Sequence, residues 1–119
     1  MSGRLTTHVL DLRSGGPAAG LDVELYHLPE SGGLRYVCGA RTNRDGRLDE
    51  PLLVGAELFA GTFELLFQVG AYYRGQDDSS VAPSLWESIP VRFTITQPGD
   101  AYHLPLLIAP GGYSAYRGS

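Results

Sequence analysis

Two histidines and one arginine are the side chains of this sequence best suited to acid–base chemistry. His8 lies in an apolar stretch near the start, Arg47 follows an Asp-Gly turn in the middle, and His103 lies in an apolar stretch near the end. Histidine exchanges protons near neutral pH, and the planar guanidinium of arginine binds carbonyl and anionic oxygens. With no metal or nucleophile motif, this set predicts general acid–base catalysis on a small polar molecule. Each side chain also has an ordinary alternative, as a solvated or hydrogen-bonded residue of a strand or turn.

The segment 112–119 is the second unusual feature. It holds two tyrosines, an arginine and two serines, although a chain end normally tolerates almost any sequence. Taken alone, it would be interpreted as an amphipathic strand with a frayed tip. An apolar strand that carries His103 runs directly into it, which favours a functional role for the tail.

Composition limits the class of protein. The chain has 119 residues, of which 43% are hydrophobic and 18% charged, with a net charge of -4. These values predict one soluble domain over residues 1–119. No basic stripe could neutralise phosphates, so nucleic acid is not expected as a partner. No apolar stretch could cross a bilayer and no secretory signal is visible, so neither a membrane partner nor export is expected and the cytoplasm is predicted.

Cysteine and histidine usage argues against a metal or cofactor. Cys38 is the single cysteine, so no intrachain disulfide can form, and we expect it to pack as a small core hydrophobe. The three histidines and this cysteine lack the close spacing of zinc ligands. We expect His27, between Tyr26 and Leu28, to lie on the surface. No glycine-rich phosphate-binding loop is present, and the predicted chemistry needs neither a metal nor a cofactor.

Short alternating segments separated by turn residues predict an all-β protein. The segment 62–69 is apolar on both faces and is expected to be a central strand. Residues 48–61 are predicted to be mostly loop with a short edge strand. Residues 70–76 are predicted to form one short helix, which Tyr72 and Tyr73 dock. Residues 77–84 are predicted to be a polar loop. The fold class is an antiparallel β-sandwich of seven to eight strands with one short helix. The main strands are predicted at 5–12, 21–28, 34–42, 62–69, 90–96, 102–109 and 113–117.

Four motifs, taken in order, resemble the 5-hydroxyisourate hydrolases, the enzymatic branch of the transthyretin-like family. They are His-Val-Leu-Asp at 8–11, Asp-Gly-Arg at 45–47, His-Leu-Pro-Leu-Leu at 103–107 and Tyr-Arg-Gly-Ser at 116–119. The last is the most specific, because it ends the members of this family. The resemblance covers nearly the whole chain and implies the transthyretin-like sandwich with its single helix.

The resemblance also implies a reaction and an assembly. The reaction is hydrolysis of 5-hydroxyisourate to 2-oxo-4-hydroxy-4-carboxy-5-ureidoimidazoline without a cofactor, by a homotetramer with sites at the dimer–dimer interface. Carried over by motif, the catalytic residues are His8, Arg47, His103 and Ser119, and the substrate-binding residues are Tyr116, Arg117 and Gly118.

The roles of these residues are hypotheses. One histidine, with His8 favoured, deprotonates the water, while His103 shares the proton network or protonates the departing nitrogen. Arg47 stabilises the developing negative charge, and the tail shapes the floor of the pocket.

Two departures and one alternative accompany the resemblance. Family members often read His-Tyr-His where this chain has Ala101-Tyr102-His103, which we interpret as tolerated variation. The stretch 76–88 matches the family poorly and is expected to be a reshaped surface loop. The alternative is a transthyretin-type carrier of small molecules without catalysis, because a fold does not decide a function. The carriers lack the histidine pair and the Tyr-Arg-Gly-Ser end.

Overall fold

The structure is a computed structural model, and it describes residues 3–76 and 83–119. The chain there forms nine strands, one 3₁₀ turn at Gly55–Glu57 and one α-helix. The elements are β1 (Arg4–Asp11), β2 (Gly16–Pro17), β3 (Asp22–Leu28), β4 (Arg35–Arg41), β5 (Leu53–Val54), β6 (Gly61–Phe67), α1 (Val69–Arg74), β7 (Ile89–Ile95), β8 (Ala101–Ala109) and β9 (Gly112–Ala115).

The strands form two sheets that pack face to face as a sandwich. One sheet has the order β2-β1-β8-β9 with β5 on the edge of β1, and the other has the order β4-β3-β6-β7. The predicted sandwich with one short helix is therefore confirmed, and β6 is central in its sheet as expected. The described residues form nine strands where seven to eight were predicted, because the two-residue strand β2 lies in a segment interpreted as a turn. Among the described strands, the pairing of β1 with β8 differs from the expectation because it is parallel. A parallel pair needs a long crossover, and the whole second sheet supplies it.

Alternating burial along the strands builds the core. In β1 the side chains of Leu5 and Val9 are fully buried, whereas Thr6 and His8 lie on the outer face and are only partly covered. The opposing sheet contributes large buried side chains from β6, among them Phe63 and Leu65. Because side chains of a strand alternate between faces, the pattern that fills the core also places polar β1 residues on one outer surface.

Asp11 anchors α1 to the first sheet. Its carboxylate is 1% exposed and accepts hydrogen bonds from the hydroxyls of Tyr72 and Tyr73, each at 2.9 Å, and from the backbone N–H of Arg13 at 2.9 Å. Burial and the adjacent carboxylate raise the pKa of both tyrosine hydroxyls, so they stay protonated and can donate. The predicted docking of the helix by these tyrosines is confirmed.

Replacing Asp11 by alanine should lower the free energy of unfolding by about 3 kcal/mol, because the buried donors lose their acceptor. Urea unfolding of the variant measures this loss. Asp22→Ala is the matched control, because its ion pair with Arg41 is solvent-exposed and should contribute less than about 1 kcal/mol. Equal losses in the two variants would contradict the anchoring role of Asp11.

Some expectations need correction or fall outside the description. His27 is half-buried, not on the surface, because its ring packs against two phenylalanines. The centre of its ring is 4.9 Å from that of Phe59 and 5.1 Å from that of Phe63. Cys38 is also half-buried, and it packs against the edge of the core. Most of the loop predicted at 77–84 lies outside the described residues.

No helix within the described ranges has the length and hydropathy of a membrane span.

Candidate active site

The parallel pairing of β1 with β8 brings the two ends of the chain together on one outer surface. The register places Thr6 opposite His103 and His8 opposite Pro105. Thr6 and His103 lie 97 positions apart in sequence, yet the Thr6 Oγ1 is 2.8 Å from the His103 Nδ1. The sheet register, not local sequence, therefore sets the position of this imidazole.

A turn built by one asparagine presents Arg47. The Asn43 side-chain oxygen accepts the backbone N–H groups of Asp45 at 2.9 Å and Arg47 at 3.2 Å, and the Asn43 backbone N–H donates to the Arg47 carbonyl at 2.7 Å. Such side-chain-to-backbone bonds hold a turn closed. The guanidinium therefore projects from an ordered turn.

This turn is attached to β1 beside His8. The Val9 N–H donates to the Gly46 carbonyl at 2.8 Å, and the His8 Nε2–H donates to the Asp45 carbonyl at 2.9 Å. Gly46 has a φ of 73°, and an added Cβ would overlap the Val9 carbonyl oxygen. Only glycine fits both conditions, so the Asp-Gly step in the sequence is what allows Arg47 to approach the strand.

The tail folds back over β8. The Gly118 N–H donates to the His103 carbonyl at 2.7 Å, and the Tyr116 N–H donates to the Pro105 carbonyl at 3.3 Å. A Cβ on Gly118 would come within 2.7 Å of the His103 Cδ2. Because glycine leaves that space open, the tail lies against the imidazole and carries Ser119 to the same surface.

These elements enclose an open cleft of about 330 Å³ on the outer face of the first sheet. The cleft holds two guanidiniums, and none of its lining residues is acidic. This arrangement favours an oxygen-rich or anionic small molecule. The polar residues that line the cleft are Arg4, Thr6, Thr7, Arg47, His103 and Ser119.

The surroundings of His103 favour its neutral form. Partial burial, followed by electrostatic repulsion from Arg47 and then His8, lowers the pKa of the imidazole below its ordinary value. His103 therefore keeps a lone pair at neutral pH. Its Nδ1 is engaged by Thr6, and no described residue forms a hydrogen bond with its Nε2. The cleft thus contains an imidazole able to accept a proton.

Among the residues predicted from sequence, Arg47, His103 and Ser119 meet in the cleft, and Gly118 packs on the imidazole. His8 stands beside them, with its Nε2 held by the turn. Their assignment to catalysis and substrate binding stays a prediction.

The side chains of Tyr116 and Arg117 lie elsewhere. Both line a second, mostly apolar cavity of about 240 Å³. The Arg117 guanidinium lies 4.5 Å from the centre of the Tyr102 ring and donates to the Ala101 carbonyl at 3.2 Å. In this arrangement the two residues support the tail through packing and hydrogen bonds.

Three cleft residues were missed by sequence reasoning or given less weight. Arg4 and Thr6 carry no motif, although their even spacing from His8 in a strand places them on the same face. Ala101, interpreted as tolerated variation, lies in the wall of the cleft. Strand alternation could have found the first two residues, but the opposing strand was not identifiable from sequence.

The fold and the cleft define a transthyretin-like sandwich whose outer face carries a polar cleft lined by one imidazole and two guanidiniums. The chain belongs to the HIUase/Transthyretin family, whose model matches residues 5–118. It is 50% identical to a 5-hydroxyisourate hydrolase of Halalkalibacterium halodurans over the full length of both chains. The family predicted from the motifs is confirmed.

Solved structures agree with this assignment. A 5-hydroxyisourate hydrolase of Klebsiella pneumoniae superposes with a TM-score of 0.79 at 35% identity, covering 98% of this chain and 99% of that one. An (S)-allantoin synthase superposes with a TM-score of 0.87 at 41% identity, covering 99% of this chain and 44% of that longer one. The transthyretin-like fold predicted from the resemblance is therefore confirmed.

Proposed function

We propose that the protein hydrolyses 5-hydroxyisourate to 2-oxo-4-hydroxy-4-carboxy-5-ureidoimidazoline without a cofactor. The observation that carries the proposal is the meeting of His103, Arg47 and Ser119 in one cleft, although their motifs are far apart in sequence. The relatives named as hydrolases of this substrate, at up to 50% identity over the full chain, support the choice of reaction.

His103 is the general base in this proposal. Its Nε2 takes a proton from water as the water oxygen attacks a ring carbonyl. Two observations favour His103 over His8, the residue favoured from sequence. The pKa of His103 is lowered, which keeps its lone pair available, and His103 lines the cleft. The Nε2 of His8 instead donates to the Asp45 carbonyl, so His8 holds the turn that presents Arg47.

The remaining steps follow from this assignment. The attacked carbonyl oxygen gains negative charge, which the Arg47 guanidinium stabilises by charge-assisted hydrogen bonds. The ring C–N bond then breaks, and the His103 imidazolium returns its proton to the departing nitrogen. Ser119, at the end of the tail, contacts the substrate in the cleft, while Gly118 keeps the tail against the imidazole.

The test is the ultraviolet decay of freshly made 5-hydroxyisourate, generated by urate oxidase, with and without the protein. Accelerated decay supports the hydrolase. Background decay from a folded protein would overturn it and favour the non-catalytic carrier, which ligand screens of the two cavities would then examine.

We also propose that the active form is a homotetramer with the cleft at the dimer–dimer interface. The cleft opens on the outer face of a sheet, so a neighbouring subunit could close it. The outer strands β7 and β9 each have one unpaired edge among the described strands, and such edges can pair with a second copy. A fully active monomer in sedimentation experiments run at assay concentration would refute this. The predicted cytoplasmic location stays a prediction.

A further inference from the structure

We propose that Thr6 is a positioning residue for the reaction: its hydroxyl oxygen accepts the Nδ1–H of His103 and so keeps the Nε2 lone pair open to the cleft. The inference rests on the proposed function. It begins from the distance of 2.8 Å between the Thr6 Oγ1 and the His103 Nδ1, which is that of a good hydrogen bond.

Two contacts hold the imidazole and a third holds the backbone of the same residue. Thr6 engages Nδ1, Gly118 lies against the Cδ2 edge, and the Gly118 N–H fixes the backbone carbonyl of the same residue. With these positions occupied, Nε2 is the ring nitrogen that remains for the substrate or the attacking water. Thr6 is thus the one side chain of the described residues that is hydrogen-bonded to the ring.

The chemistry of the proposed base decides the direction of this hydrogen bond. A neutral imidazole carries one N–H, and Nε2 can accept a proton only if that N–H is on Nδ1. The threonine oxygen then accepts from Nδ1. The same bond persists after Nε2 is protonated, because the imidazolium still has its Nδ1–H, so the ring need not turn during proton uptake.

A hydroxyl suits this task better than a carboxylate. A carboxylate at position 6 would stabilise the imidazolium and raise the pKa of His103, which would remove the free lone pair at neutral pH. Threonine orients the ring without adding charge. The residues whose electrostatic repulsion disfavours a second proton on His103 are Arg47 and then His8, and Arg4 adds a further guanidinium to the cleft wall.

The test compares Thr6→Val, which keeps the side-chain shape but removes the hydroxyl, with Thr6→Ser, which retains it. We expect Thr6→Val to lower kcat for 5-hydroxyisourate by about ten-fold with KM near that of the parent, and Thr6→Ser to restore most of kcat. Thr62→Val, on the inner strand β6 of the second sheet and outside the cleft, is the control and should match the parent. A raised KM with unchanged kcat would overturn the proposal, since Thr6 would then bind substrate.

A second measurement does not depend on activity. Nitrogen-15 NMR at a pH above the midpoint of the His103 titration reports which ring nitrogen holds the proton. We expect the parent Nε2 to resonate as an unprotonated nitrogen, and Thr6→Val to shift part of the population to protonated Nε2, with the His8 resonances unchanged. An Nε2 already protonated in the parent, or no change in the variant, would overturn the proposal. If the parent is inactive but this shift occurs, the proposed reaction fails and the positioning role of Thr6 stands.

Discussion

His103→Ala should turn over 5-hydroxyisourate about 10²- to 10⁴-fold more slowly than the parent, the usual contribution of a general base. The imidazole is half-buried and makes one side-chain hydrogen bond, so its loss should leave the fold intact. The ultraviolet decay assay measures the rate, and thermal unfolding of the same sample checks the fold. His27→Ala is the matched control, because His27 packs against Phe59 and Phe63 away from the cleft. Parental turnover by His103→Ala would refute the assignment.

The pH dependence gives the same assignment an independent test. The pKa of folded His103 is lowered, so the neutral, proton-accepting form persists below the ordinary histidine value of about 6.5 and is lost as the pH falls through the folded pKa. We therefore expect the acid limb of kcat/KM to lie below about pH 6.5. An acid limb at or above that value would show that another group controls activity.

Arg47→Gln should lower kcat/KM by about 10²- to 10³-fold, because the amide cannot supply the charge that stabilises the developing oxyanion. Steady-state kinetics with the same assay measures the loss. Arg44→Gln is the matched control, since Arg44 is an exposed arginine of the same turn that does not line the cleft. If both variants lose activity equally, the effect comes from the turn and not from the guanidinium at position 47.

The same variant should change the His103 titration. The Arg47 charge is one cause of the lowered pKa of His103, so its removal should raise that pKa toward the ordinary value. Proton NMR of the histidine resonances follows the titration directly, even where turnover is slow. An unchanged midpoint would contradict the proximity of the two groups in the cleft. Arg44→Gln should leave the midpoint near that of the parent.

Local sequence determined much of the fold. The alternation of apolar and polar residues predicted the main strands, and the structure shows the matching alternation of burial. The Asp-Gly step predicted the turn at Arg47, and the paired tyrosines predicted the docking of α1. These features depend on neighbouring residues, whose spacing sets which face of a strand is buried and which turn a glycine permits. The motifs also identified the family, which the comparisons confirmed. Sequence thus determined the elements and the set of candidate residues.

Tertiary structure decided how those residues meet. Strand spacing shows that Thr6 and His8 share a face, but it cannot show that β8 runs parallel to β1 and places His103 beside Thr6. Neither the lowered pKa of His103 nor the bond from His8 to the turn is visible in local sequence, because both come from groups tens of positions away. The physical reason is that register and burial depend on long-range packing, which local patterns do not encode.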